Sequence, residues 1–142
     1  MKDIEKEIGQ FLVDYVRDFN KLDLEAVVSH FHLPCTFIVP QEVLAITSTS
    51  EVEAFWSPRL IDLKKQGFGR TEFIERKIDV LNDNTAIIGI KAARYAEDGS
   101  GLNERHTTFV VRNTDDGWKI VTLIHHSPTP GYAQELVGGS GS

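Results

Sequence analysis

The chain has 142 residues, 41% of them hydrophobic, with a formal net charge of −6 and one cysteine. That length suits one domain with a sizeable core, and the acidic balance argues against a general nucleic-acid binder, whose phosphate contacts need clustered Lys and Arg. The short basic stretches Lys64-Lys65 and Arg76-Lys77 read as solvated faces, and Cys35, being alone, excludes an internal disulfide.

No run approaches the ~18 apolar residues of a membrane span, and the charged start Met1-Lys2-Asp3-Ile4-Glu5 does not read as a signal peptide. A soluble, cytoplasmic protein is the expectation. One domain is expected over residues 1–132, followed by a tail, 133–142, whose Gly138-Gly139-Ser140-Gly141-Ser142 reads as a flexible linker or an expression scar.

Ile4, Ile8, Phe11, Leu12, Tyr15, Val16 and Phe19 recur at helical spacing, which predicts an amphipathic helix over residues 3–20. Asp23 can cap a second helix carrying Leu24, Val27, Val28 and Phe31, ended by Pro34. Thr36–Val39 and Val43–Ile46 flank Pro40-Gln41-Glu42 as a short hairpin. Ser50 with Glu53 predicts a capping box for a third helix running toward Gly67, in which Pro58 should produce a kink or a break. Residues 70–81 form the next strand and turn at Asn82-Asp83-Asn84 into a meander punctuated by Glu97-Asp98-Gly99 and Asp115-Asp116-Gly117.

The first meander strand is apolar on both faces: Ile87, Gly89, Ala93 and Tyr95 point one way, and Ala86, Ile88, Ile90 and Ala92 the other. A sheet with one wet face alternates apolar and polar, so each face here needs a cover. The chain's own helices supply one. A second copy of the sheet is the simplest supply for the other, with loops and tail as the alternative.

The order helix, helix, hairpin, helix and four antiparallel strands, with Phe19-Asn20-Lys21-Leu22-Asp23-Leu24 between the first helices and Asp116-Gly117-Trp118-Lys119-Ile120-Val121 entering the last strand, resembles the nuclear transport factor 2-like superfamily over residues 4–130. Its members include SnoaL-like polyketide cyclases, ketosteroid isomerases, scytalone dehydratase and the association domain of calcium/calmodulin-dependent kinase. The resemblance implies a cystatin-like α+β cone, with N-terminal helices packed in a curved antiparallel sheet, a pocket at the open end and a homodimer through the outer sheet face. Fold alone does not give function.

Aligned with that family, Tyr15 falls where isomerase-like members carry an enolate-binding tyrosine; packing of its ring is the alternative reading. The isomerase's carboxylate base would stand at Val39, before Pro40, and its second oxyanion donor near Thr107, and neither residue can do that chemistry. The acid and base sets of epoxide hydrolases and scytalone dehydratase find no match. The same alignment places Ile87, Gly89, Lys91, Ala93 and Tyr95 on the concave, pocket-facing side, which leaves Ala86, Ile88, Ile90 and Ala92 to meet the partner.

Gly89 and Ala93 would leave room for a ligand, and Lys91 would bind an anionic one, act as a desolvated base or nucleophile, or pair with Glu42 or Glu72. His125, on the face of Val121 and Leu123, should point inward as an acid, a base or a pocket wall, and His126 outward. Trp56 completes the wall. His30 and His32 at a helix end, and the diverging His125 and His126, lack metal-ligand spacing, so neither a metal nor a cofactor is expected.

The preferred expectation is a homodimer that binds a small molecule, with Tyr15, Trp56, Gly89, Lys91, Ala93, Tyr95, Thr107, Leu123 and His125 lining the pocket. The alternatives are a SnoaL-like isomerase, cyclase or lyase in which His125 or Lys91 moves a proton and Tyr15 polarises a carbonyl, and a non-catalytic oligomerisation module.

Overall fold

A computed structural model describes residues 3–128; the tail read as a linker or scar lies outside the described residues. The elements run α1 (Ile4–Asn20), α2 (Leu24–Val28), β1 (Phe31–Val39), β2 (Glu42–Ile46), α3 (Thr49–Lys65), β3 (Phe68–Asn82), β4 (Thr85–Ala96), β5 (Gly101–Thr114) and β6 (Gly117–His126). The six strands form one sheet in the order β2-β1-β6-β5-β4-β3. Pairings are antiparallel except β1 with β6, which is parallel and makes the sheet mixed.

Asp3 caps α1, its side chain accepting from the Lys6 N–H, and the predicted face is buried through Ile8, Phe11, Leu12, Tyr15 and Phe19. Full burial of each such side chain is worth ~1.5–3 kcal/mol. The sheet curves around this helix. Its inner face is the row Ala86, Ile88, Ile90 and Ala92 on β4 with Phe109 and Val111 on β5 and Ile120 and Leu123 on β6, all buried.

The linker between the first helices has a physical role at each of its marked positions. Asn20 Nδ2 donates to the Thr71 carbonyl at 3.2 Å while the Thr71 N–H donates to Asn20 Oδ1 at 2.8 Å, which clamps the end of α1 to β3. Leu22 takes φ 52°, and Asp23 caps α2 by accepting from the Ala26 N–H. At the entry to β6, Gly117 has φ 96°, and the buried Trp118 donates its Nε1–H to Glu7 on α1 at 3.1 Å.

Three local expectations are corrected. The second helix ends at Val28, and Phe31 opens β1 instead of continuing the helix, because the Ile120 N–H donates to the His30 carbonyl and draws this stretch into the sheet. The third helix is capped two residues earlier than predicted, by Ser48: its Oγ accepts from the Glu51 N–H, and Glu51 reaches back to the Thr47 N–H at 2.9 Å. Pro58 lies within α3 without ending it; in that turn the Arg59 side chain donates to the Phe55 carbonyl at 2.7 Å.

Candidate functional site

The curved sheet, α1 and α3 leave a chamber at the wide end of the cone. Tyr15, Val16 and Phe19 come from α1, Trp56 from α3, Thr71 and Phe73 from β3, Ile90, Ala92 and Arg94 from β4, Arg105, Thr107 and Phe109 from β5, and Leu123 and His125 from β6. Its empty space is about 450 Å3 when the solvent at its open mouth is included. The chamber itself is tight: only about 40 Å3 can hold the centre of a water molecule, room for roughly three waters, well below the ~300–1,000 Å3 of a typical small-molecule site. Through Trp56, Arg94, Arg105 and His125 the chamber opens into a wider vestibule bordered by Arg59, His106 and His126.

Five of the sequence-predicted residues meet in this chamber: Tyr15, Trp56, Thr107, Leu123 and His125. Four do not. Gly89, Lys91, Ala93 and Tyr95 lie on the outer face of the sheet, so the expected assignment of the two faces of β4 is reversed. A Cβ on Gly89 would meet nothing within 4 Å, Lys91 Nζ lies 3.8 Å from Glu104, and the Arg70 guanidinium covers the Tyr95 ring at 4.3 Å. Ala93 is buried between outer-face neighbours, its register partners being Glu72 and Glu104. The physical reason is continuity of the core. Ala86, Ile88, Ile90 and Ala92 form an uninterrupted apolar row that α1 can cover, whereas the other row carries a lysine that needs water and a counter-charge.

The inward row of β4 ends in Arg94, and the inward row of β5 (Val111, Phe109, Thr107) ends in Arg105. Neither arginine was singled out in the sequence. The signal was there: a cation in phase with each of two apolar rows that pair as neighbouring strands. His125 was phased correctly, although Val121 is a bulge residue, unpaired between the Val110–Thr122 and Val111–Ile120 registers. His126 points to the outer face as expected, sharing a hydrogen bond with Thr108 Oγ1 at 2.9 Å.

The electrostatics of the chamber are unusual. Burial, and secondarily the neighbouring Arg105, pull the Arg94 guanidinium down to about 10. Burial pulls the His125 imidazole down to about 4, with Arg105, Arg94, Arg59 and His126 adding repulsion, so it is neutral at physiological pH. Burial pushes the Tyr15 phenol well above its ordinary value; its ring stacks near Phe73 and meets Phe109 and His30 edge-on. The Tyr15 ring is packed, as the alternative reading has it, and it also lines the chamber.

Three buried polar atoms have no hydrogen-bond partner among the described residues: Trp56 Nε1, Thr71 Oγ1 and Arg94 Nε. All three belong to chamber-lining residues, and Trp56 and Thr71 are only 3% and 6% exposed. Such orphans are rare in native interiors. The other histidines read for metal chemistry are engaged elsewhere: His30 Nε2 donates to Asp18 at 2.7 Å, and His32 Nδ1 lies 2.9 Å from the Pro34 carbonyl.

Comparison with known proteins gives the fold and the family. No curated protein matches the chain. Among solved structures, a nuclear transport factor 2-like protein of unknown function from Shewanella oneidensis superposes with a TM-score of 0.70 at 18% identity, covering 87% of this chain and 98% of that one. A ketosteroid isomerase-like protein from Erwinia carotovora atroseptica gives 0.65 at 15% identity over 90% and 100% of the two chains. A putative calcium/calmodulin-dependent protein kinase II association domain from Xanthomonas campestris gives 0.66 at 16% identity over 86% of each. These likenesses show the cystatin-like α+β fold expected from the sequence. A family model, NTF2-like protein (DUF6841), matches residues 5–128, and the chain therefore belongs to that nuclear transport factor 2-like family.

Proposed function

We propose that this protein binds a small organic molecule in the chamber of its cone. The observation that carries the reading is the set of orphaned polar atoms on Trp56, Thr71 and Arg94, which gather around one cavity instead of being scattered through the core. Leaving a buried donor unsatisfied costs ~1–3 kcal/mol, and a ligand that supplies the partners repays that cost on binding. The apolar remainder of the wall, with a few convergent polar groups, is the usual composition of a small-molecule site.

The test is a thermal-shift screen of small metabolites on the wild-type protein and on Ala92→Leu, which fills the chamber. Binding predicts compounds that stabilise the wild type, by ~2.7 kcal/mol at a hundredfold excess over Kd, and that do not stabilise a cooperatively folded Ala92→Leu. Equal stabilisation of both proteins would contradict the reading.

If the ligand is turned over, His125 is the proton-transfer group that remains, because Lys91 lies outside the cone and no carboxylate lines the chamber among the described residues. We also propose that the molecule is a homodimer through the outer sheet face. Supporting this are the half-buried Ile38, Ile87, Val110 and Ile124, an apolar centre on adjoining strands that a two-fold axis can place against its own copy. A cytoplasmic setting completes the reading, in keeping with the lone, buried thiol of Cys35. No helix among the described residues is long and apolar enough to cross a membrane.

A further inference from the structure

We propose that the ligand is a small organic carboxylate, its apolar end seated against Phe73, Phe109, Ile90 and Leu123 and its carboxylate lying against the Arg94 guanidinium at the mouth; this class assignment rests on the reading of the chamber as a ligand site.

Hydrogen-bonding stoichiometry is the first argument. Arg94 Nε and Trp56 Nε1, both without partners, can only donate, and Arg105 can only donate. The hydroxyls of Tyr15, Thr71 and Thr107 can add further donors. No carboxylate or side-chain amide lines the chamber among the described residues. The group missing from this arrangement is therefore rich in acceptors, and a carboxylate offers two oxygens with about four lone-pair sites and no donor. Arg presents a planar fork suited to it.

Charge is the second. Arg94 and Arg105 face the chamber, and Arg59 borders the vestibule beside them. None of the three is in an ion pair among the described residues, although the chain as a whole is acidic, with a net charge of −6. Of the acids on the vestibule wall, Asp62 is exposed and Glu104 is 3.8 Å from Lys91. An unpaired, largely buried guanidinium next to another is an arrangement that folding opposes, and an anion between them reverses both penalties.

Shape is the third. The chamber, with about 40 Å3 of water-accessible space, admits only a compact apolar group, and the wider vestibule leaves room for the rest of the molecule. An inorganic oxyanion would satisfy the cations but leave the apolar wall unused.

The experiment is calorimetric titration of the full chain with isobutyrate, benzoate and phenylacetate, each beside its neutral amide, and with inorganic phosphate. The proposal predicts that at least one acid binds tenfold or more tighter than its amide, ~1.4 kcal/mol, that Arg94→Gln removes this advantage, and that Arg94→Lys restores only part of it. Acids and amides binding alike, both lost in Ala92→Leu, would overturn the carboxylate and leave the chamber as a ligand site. Phosphate matching the best acid would overturn the organic body. If neither acids nor amides bind, the ligand-site reading fails and the class assignment with it. Circular dichroism of each variant separates lost binding from lost folding.

Discussion

Arg94 is a stabilising residue only when something pairs with it. In the unliganded chain its guanidinium is largely desolvated and faces Arg105, so an apolar side chain of similar length should be better tolerated. We predict that Arg94→Met raises the unfolding free energy of the unliganded protein by ~1–3 kcal/mol, read as a higher urea midpoint at unchanged m-value, while abolishing carboxylate binding; a lower midpoint would mean that Arg94 is structurally paired.

His125 gives a second residue-level test. Its folded-state value, about 4, lies below the unfolded value of ~6.5. The unfolded chain therefore takes up a proton that the folded chain refuses, and stability falls as pH drops from about 6.5 to about 4, by up to ~3 kcal/mol. His125→Gln should flatten that part of the stability curve in denaturation measured across pH, and an unchanged slope would place the titration elsewhere. The inward orientation of His125 could be read from the sequence because Leu123 shares its face. Lys91 lies opposite to the side that the family alignment implies, because a lysine with a counter-charge at Glu104 takes the wet row.

At the scale of elements, the helices, the turns and their order were legible because each is encoded locally, by apolar periodicity and by Asp-Gly or Asn-rich turns. The third helix starts two residues early because Ser48/Glu51 and Ser50/Glu53 have the same spacing, and the hydrogen bonds from the Glu51 N–H to Ser48 Oγ and from the Thr47 N–H to Glu51 distinguish them. The parallel β1–β6 pairing joins segments some 85 positions apart, as Phe37 with Leu123, and no local pattern announces such a contact.

Two elements also position the site. The Asn20 clamp holds Thr71 at the chamber wall, and Asn20→Ala should cost ~1–3 kcal/mol by leaving the Thr71 backbone groups unpaired, read as a lower unfolding midpoint together with weaker ligand binding. Gly69 sits at the bulge between β3 and β4, where an added Cβ would lie 2.7 Å from the Ala96 carbonyl oxygen. Gly69→Ala is therefore expected to destabilise the protein by shifting this strand pair, seen as loss of amide-exchange protection over β3 and the end of β4; retained protection would show that the bulge absorbs a methyl group.

For the whole molecule, the doubly apolar meander encodes a curved sheet with apolar residues on both faces, although the expected assignment of rows to faces is reversed. If the outer face joins two copies, light scattering should give twice the chain mass, and Ile124→Glu should halve it while leaving the monomer folded. A single-chain mass for the wild type would remove the dimer. The chamber described above is built from residues of one chain, so ligand binding is expected with either outcome.

The most direct test of the chamber is the side-chain region of a 15N-resolved NMR spectrum during titration with benzoate. The chain has two tryptophans: Trp56 with an unpartnered indole N–H in the chamber, and Trp118 with its N–H bonded to Glu7. The account predicts that the Trp56 indole and Arg94 Nε–H signals shift saturably while the Trp118 indole stays in place. If Trp56 and Arg94 remain still, or if both indoles move together, the chamber is not where a small anion binds.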